Sequence, residues 1–324
     1  RLIPAYKIGD ELALTSIFLS SLKMIKEFRD NILSTLGMSR GGTIYVYTEA
    51  EFPQFKDCRI DGLILVVKSG IIKDAAFLEM KNKNDLLKDD QIEKYLKIAN
   101  ELSVPKMVTI SNQFVSTQTQ SPVNVKVPKS VGMYHLSWSY ILTIAHVLLI
   151  KNDMNIEDED QADIMREVVA YFENSASGVC GFHQMKAGWA KTVDKINSNM
   201  VIKANDPDLS EAVLSWQQEE KDMVLILSRK LGVLVGTGYR KYKNDLIGRY
   251  KDDAKKLLTD KMLNSLLRVK GACSDLTVKA FFDRRIVEMS ITLEAPKDKT
   301  VKGQIGWLRR QLEQGQKKNP NSYE

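Results

Sequence analysis

Three short apolar runs, "TIYVYTEAEF" (43–52), "RIDGLILVV" (59–67) and "AAFLEMK" (75–81), follow one another closely. They are rich in β-branched and aromatic residues and are separated by turn-formers, the pattern of strands that pair in sequence. Upstream, residues 10–36 place Leu14, Ile17, Phe18, Leu22, Ile25, Phe28, Ile32 and Leu36 on one helical stripe, and "GMSRGG" (37–42) stops it. Downstream, an amphipathic helix from about Asp89 to Leu102 turns Ile92, Tyr95, Leu96 and Ala99 inward and leads to a fourth strand, "KMVTIS" (106–111). A helical crossover makes the third and fourth strands parallel. The order α-β-β-β-α-β therefore requires an α/β fold, a mixed sheet flanked by helices.

The turn between the second and third strands is read as "KSGIIKD" (68–74). Residues 112–130 read as a loop, with a short strand at "VNVKV" as an option. "LSWSYILTIAHVLLI" (136–150) is fifteen residues long and contains His146. A membrane span needs roughly 20 apolar residues, so this is a buried core helix that closes a first unit, 1–150. The acidic "NIEDEDQAD" (155–163) marks the boundary and caps a helix running to about Glu173, and "NSASGVCGF" (174–182) breaks the chain again. The second unit, 151–270, reads as mainly helical, including 209–232. The last, 271–324, reads as a β-hairpin (276–282 and 285–294) followed by a helix with Val301, Ile305, Leu308 and Leu312 on one face.

A chain of 324 residues can bury a sizeable core in more than one unit. Cys58, Cys180 and Cys273 lie far apart, forming neither a disulfide framework nor a zinc pattern, which fits a reducing compartment. With no secretory leader and no spanning segment, the expectation is a soluble, cytoplasmic protein. The net charge is +6, but residues 229–270 hold twelve Lys and Arg against four Asp, a local excess of eight. Such a stretch suits a phosphate backbone, with Arg240, Lys241 and Lys243 as candidate contacts. A solvated lysine-rich helix face explains the same composition equally well.

Strand alternation puts Glu79 and Lys81 on one face with Met80 opposite. Asp61 sits among apolar neighbours in the preceding strand, beside Gly62, which would let a backbone or an ion approach. Two carboxylates on neighbouring strands are the hard oxygen donors that magnesium or manganese prefers, and the Met80 carbonyl offers a third. Lys81 would steady charge developing on a hydroxide or a phosphorane, and Gln91 opens the next helix within reach of the strand ends. A plain Glu79–Lys81 surface pair would leave Asp61 in an apolar strand without a partner, which is costly.

The pattern Asp61–(17 residues)–Glu79-x-Lys81–(9 residues)–Gln91-x-x-x-Tyr95 resembles the PD-(D/E)XK nuclease superfamily, and within it the RecB-type exonuclease branch. The resemblance covers roughly residues 10–112, and Ile60 stands where the family motif has Pro. It implies a restriction-endonuclease-like fold in which Asp61 and Glu79 bind the divalent metal, Lys81 orients or activates water, and Gln91 completes the site. Glu11 falls where many members carry a further acidic residue on the first helix. The expected function is a magnesium- or manganese-dependent nuclease hydrolysing DNA phosphodiester bonds, with RNA an open alternative, no membrane partner, and a homodimer among the oligomeric options. The alternatives are a nuclease-fold module that has lost catalysis and binds nucleic acid or a protein, and an interaction protein that docks a partner through its C-terminal hairpin and helix. Glu11 equally suits a helix N-terminus. Glu51 and Asp57 read as turn residues, and Lys83 as an exposed loop lysine. His135, His146 and His183 lack ligand spacing, and the four tryptophans read as core anchors.

Overall fold

The computed structural model describes residues 8–318, apart from 56, 57, 84, 114, 116–118, 120, 150–155, 183, 240, 241, 243, 244 and 273, and without the side chains of 246 and 311–318. The elements run α1 (Glu11–Met24), α2 (Lys26–Thr35), β1 (Thr43–Glu51), β2 (Arg59–Lys68), β3 (Ile71–Met80), α3 (Asp89–Glu101), β4 (Lys106–Ser111), β5 (Gly132–Ser137), α4 (Trp138–Leu149) and α5 (Glu159–Phe172). They continue with α6 (Ala187–Asn197), α7 (Pro207–Leu231), β6 (Val235–Thr237), α8 (Leu246–Asp260), β7 (Met262–Val269), β8 (Leu276–Phe281), β9 (Ile286–Ile291) and α9 (Val301–Lys318).

The first sheet has the order β1-β2-β3-β4-β5. Its first three strands are antiparallel neighbours, whereas β4 and β5 join parallel through crossovers. The expected mixed α/β sheet is present, with three differences in detail. The stripe over 10–36 is two helices, broken at Ile25, whose backbone is extended (φ −115°, ψ 109°). Just before the break, the Ser21 hydroxyl donates to the Ile17 carbonyl, a back-bond that bends helices. The break keeps Leu14, Phe18, Leu22, Ile25, Phe28 and Ile32 all buried against a twisted sheet. The second and third strands meet in a tight turn at Ser69-Gly70, both with positive φ, so β3 starts at Ile71 and the anticipated seven-residue turn is shorter. A fifth strand, β5, occupies a stretch where the sequence predicts only loop and core helix. "GMYHLS" is too short and too apolar to separate from the helix it abuts by periodicity alone. "VNVKV" is not a strand.

The two faces of this sheet have separate cores. Ile64, Val66, Ala76, Leu78, Met80, Val108, Ile110 and Leu136 pack against α1, α2, α4 and α5. Leu63, Leu65, Ala75, Phe77, Met107 and Met133 pack on the face that α3 covers. Because α5 places Met165, Val168 and Phe172 in the first core, that core extends beyond residue 150.

The second sheet is antiparallel, in the order β6-β7-β8-β9. The C-terminal hairpin is as expected, but it pairs with β7, in a stretch read as helical, so 271–324 is not a separate element. β7 alternates buried and half-buried residues over "MLNSLLRV". Its inner face joins α6, α7 and α8 around Trp216, Leu257, Leu263, Leu267 and Phe282. Among the described residues no helix is long and apolar enough to cross a membrane.

Candidate active site

β2 and β3 are paired with Gly62 opposite Leu78, so Asp61 continues that register to face Glu79. Glu79 alternates with Phe77 and Ala75 and so lies on the α3 face. It is also paired with Thr109 on β4, which in turn is paired with His135 on β5. A polar row, Asp61–Glu79–Thr109–His135, thus crosses an otherwise apolar face near the ends of β3, β4 and β5.

Glu79 is 0% exposed. Lys81 Nζ lies 2.8 Å from its Oε1 as a close ion pair, yet neither carboxylate oxygen accepts a well-directed hydrogen bond from a described residue. Burial first, then the charge of Asp61, raises the Glu79 carboxyl to about 8, against the opposing pull of Lys81. The Asp61 carboxylate accepts a 2.7 Å hydrogen bond from the Met80 amide, which fixes its orientation at the strand end.

Lys81 follows the last residue of β3, and its backbone is held on both sides. Its amide donates to the Ile110 carbonyl at 2.8 Å and its carbonyl accepts from the Trp138 indole at 2.9 Å. The side chain reaches Glu11 Oε1 at 2.9 Å and the Met80 carbonyl at 3.1 Å, besides Glu79. Burial works against this ammonium, but its close contact with the Glu79 carboxylate, followed by Glu11 and the charge of Asp61, outweighs it and holds the pKa above the ordinary lysine value. Lys81 therefore stays charged at neutral pH. It can stabilise negative charge there but cannot accept a proton.

Glu11 is in the first turn of α1, which Asp10 caps by accepting from the Ala13 amide. It stands at that helix terminus and pairs with Lys81 at the same time. Gln91 and Tyr95, one turn apart on α3, bind each other: the Gln91 amide donates to the Tyr95 hydroxyl at 3.0 Å, and that hydroxyl donates to the Arg59 carbonyl at 2.8 Å. Burial above all raises the Tyr95 phenol to about 12. The pair anchors the start of β2, two residues before Asp61.

Gly62 faces the other side of the sheet. A Cβ there would lie 3.2 Å from both Leu19 Cδ1 and Leu78 Cβ, so the missing side chain makes room for α1 and not for an ion. Arg240, Lys241 and Lys243 lie outside the described residues, as do Asp57, His183 and Cys273. The basic stretch around them is not one solvated face. Arg249 is buried in a bidentate pair with Glu220, at 2.9 and 2.7 Å, and Arg229 donates to the Ser139 carbonyl and hydroxyl and to the Thr143 hydroxyl. The two described histidines are satisfied within the fold, His135 between the Thr109 hydroxyl and the Gln113 carbonyl and His146 by Glu173. Burial lowers His135 to about 4, so it is neutral. Trp138, Trp189 and Trp216 pack in aromatic clusters.

Asn82, buried immediately after the E-x-K triplet, carries no functional signal in the sequence. Its amide donates to the Gly9 carbonyl at 3.0 Å and the Ser177 carbonyl at 2.7 Å, tying the segment before α1 and the turn after α5 to the end of β3. Asn112 repeats the arrangement after β4, donating to the Lys83 and Gly178 carbonyls. An asparagine next to a strand end reads as a turn-former, and its long-range carbonyl partners have no local pattern.

Among the described residues, no three His, Cys, Asp or Glu side chains converge as a metal cluster. The donors available are the two carboxylates of Asp61 and Glu79 and the Met80 carbonyl. A buried carboxylate without a directed donor, beside a second carboxylate, offers the hard oxygen donors that a divalent cation takes. Compared with known proteins, the chain matches no family profile and no curated sequence.

Proposed function

We propose that this protein is a divalent-metal-dependent phosphodiesterase that hydrolyses DNA, built on a restriction-endonuclease-like sheet. The observation that carries the reading is the meeting of Asp61, Glu79 and Lys81 at adjacent strand ends, with Glu79 fully buried and its oxygens lacking directed donors. A buried carboxylate this strongly perturbed, set between a second carboxylate and an ammonium, is the kind of group that clusters at functional sites.

Asp61, Glu79 and the Met80 carbonyl would hold magnesium or manganese. Such an ion, when bound, polarises a phosphoryl oxygen and lowers the pKa of bound water. The chain's own residues do the rest. Asp61 is oriented by the Met80 amide, and Glu79 is kept from bulk water by α3 and the strands beside it. Lys81, a permanent cation, donates to the oxygens on which negative charge grows as the water–phosphorus bond forms and the bond to the leaving oxygen breaks. Gln91 and Tyr95 position the β2 end that carries Asp61.

A second reading, a nuclease-like module that binds without cleaving, draws on the Lys81 ammonium, which already has three oxygen partners within the chain. Purified protein incubated with plasmid and linear DNA, in magnesium or in EDTA, separates the two. Metal-dependent cleavage abolished by Glu79→Ala and by Lys81→Ala, with both variants still folded, is the expected result. Cleavage at the wild-type rate by either variant would place the chemistry elsewhere, and no cleavage by the wild type would favour the binding module.

A further inference from the structure

β9 ends the second sheet, and among the described residues its outer edge has no neighbouring strand. Its pairing with β8 sets Val287 opposite Ala280, Met289 opposite Val278 and Ile291 opposite Leu276, so all three lie on the core side of the sheet. On β8 that side is sealed, with Val278 and Ala280 buried in the second core. One strand further it is bare, and Val287, Met289 and Ile291 are 58%, 65% and 50% exposed. Natural sheets guard an open edge with lysine, proline or a bulge. "IVEMSI" has no lysine or proline, keeps an unbroken register with β8, and carries Glu288 as its single charge.

α9 is uncovered as well. Val301 and Ile305 begin its apolar stripe and are 73% and 62% exposed. The chain's own α9 therefore leaves the β9 row open. Nor does a helix, which spends its backbone groups internally, satisfy the amides and carbonyls along a strand edge. That takes a strand.

A second copy of β9 suits this edge by its own sequence. Antiparallel pairing about a two-fold axis at Met289 sets Met289 against the partner's Met289, Val287 against the partner's Ile291, and Glu288 against the partner's Ser290. Apolar side chains meet apolar ones and no like charges face each other, whereas an axis at Glu288 would bring two carboxylates together. The axis is perpendicular to the sheet, so the two four-stranded sheets become one and both core sides stay together. Three apolar side chains from each copy then form a continuous floor for the α9 stripes. With Ile286, the exposed aliphatic side chains of β9 and α9 offer roughly 600 Å² per copy, and the strand backbone and polar rim bring this close to the about 800 Å² that each partner gives a stable interface.

We propose that this chain forms a two-fold dimer by pairing β9 with the β9 of a second copy, with the α9 stripes covering the joined rows. The proposal is independent of the phosphodiesterase reading. Sedimentation equilibrium on the 324-residue chain should show a monomer–dimer equilibrium. Met289→Lys, which sets two ammonium groups face to face at the axis, should give a monomer with the circular dichroism of the wild type, since the side chain is exposed. Ile305→Glu should weaken the dimer through the helix. Ser290→Lys tests the register, because it adds two Glu288–lysine pairs across the axis and should tighten the dimer about 2- to 30-fold. A dimer that Met289→Lys leaves intact, or one that Ser290→Lys does not tighten, would overturn this pairing. So would a wild type that stays monomeric at the highest concentration at which it remains in solution, a result that would assign the edge to a strand of another protein.

Discussion

At Glu79, burial and a neighbouring carboxylate act together on a single proton. The ordinary glutamate pKa is 4.5 and the folded value is raised to about 8. The fold therefore favours the protonated form. Its contribution to stability is complete below about pH 4.5 and is lost as pH rises through about 8. Without added metal, thermal unfolding should show the melting temperature falling across that window, and Glu79→Gln, which mimics the protonated acid, should remove that part of the slope. An identical slope in the variant would assign it to other groups. Manganese should show the opposite dependence, binding more tightly as pH approaches 8, because its entry displaces the same proton. Lys81 adds a competitor, since its ammonium is held by Glu79 and the Met80 carbonyl, two of the three groups assigned to the ion. Calorimetry on Lys81→Met should accordingly show tighter manganese binding than the wild type, even though cleavage is lost. Weaker binding would mean that lysine and metal occupy different positions.

Within α3, the i, i+4 spacing of Gln91 and Tyr95 makes the helix a brace for its neighbouring strand. Tyr95→Phe keeps the ring in its pocket and removes one hydroxyl, leaving the Arg59 carbonyl without its 2.8 Å donor. The expected cost is about 1–2 kcal/mol, read as a lower urea midpoint with an unchanged m-value, together with slower turnover as Asp61 loses its fixed position. An unaltered midpoint would mean that the strand start is held by other contacts. The elements most visible in the sequence are those whose signal is local. Alternation in "RIDGLILVV", the apolar stripe of α3 and the Asp61, Glu79 and Lys81 spacing all survive in the structure, because burial on one face leaves a period of two or 3.6 that can be read residue by residue. Elements defined by distant partners were not visible. β5 and β7 are strands only because β4 and β8 lie beside them, and the inward turn of Arg249 depends on Glu220, 29 residues away. The glycine at 62 was legible as a close approach, but not which neighbour would fill the space.

For the molecule as a whole, α7 joins the two cores. Near its C-terminal end Arg229 crosses to the N-terminal half of α4, donating at 3.0 and 2.9 Å to the Ser139 and Thr143 hydroxyls. Further up the same helix, Lys221 sits 6.0 Å from the centre of the Tyr140 ring. Arg229→Ala should cost about 1–3 kcal/mol and loosen the coupling between the sheets. In guanidinium, emission from a Trp138-only variant and from a variant keeping Trp189 and Trp216 should then give transitions that separate, where the wild-type background gives coincident ones. Coincident transitions in both backgrounds would show that the cores are fused by other contacts. The tie that Asn82 makes to Ser177 has a consequence on the ribosome. The two residues are 95 apart in the chain, so at about 5–20 residues per second the end of β3 waits roughly 5–20 seconds after Asn82 is made before its second carbonyl partner exists. During synthesis, the acidic site acquires its charges well before its last fastening, and a chain cut short anywhere between them carries the complete E-x-K triplet on a strand end that still lacks its tie to Ser177.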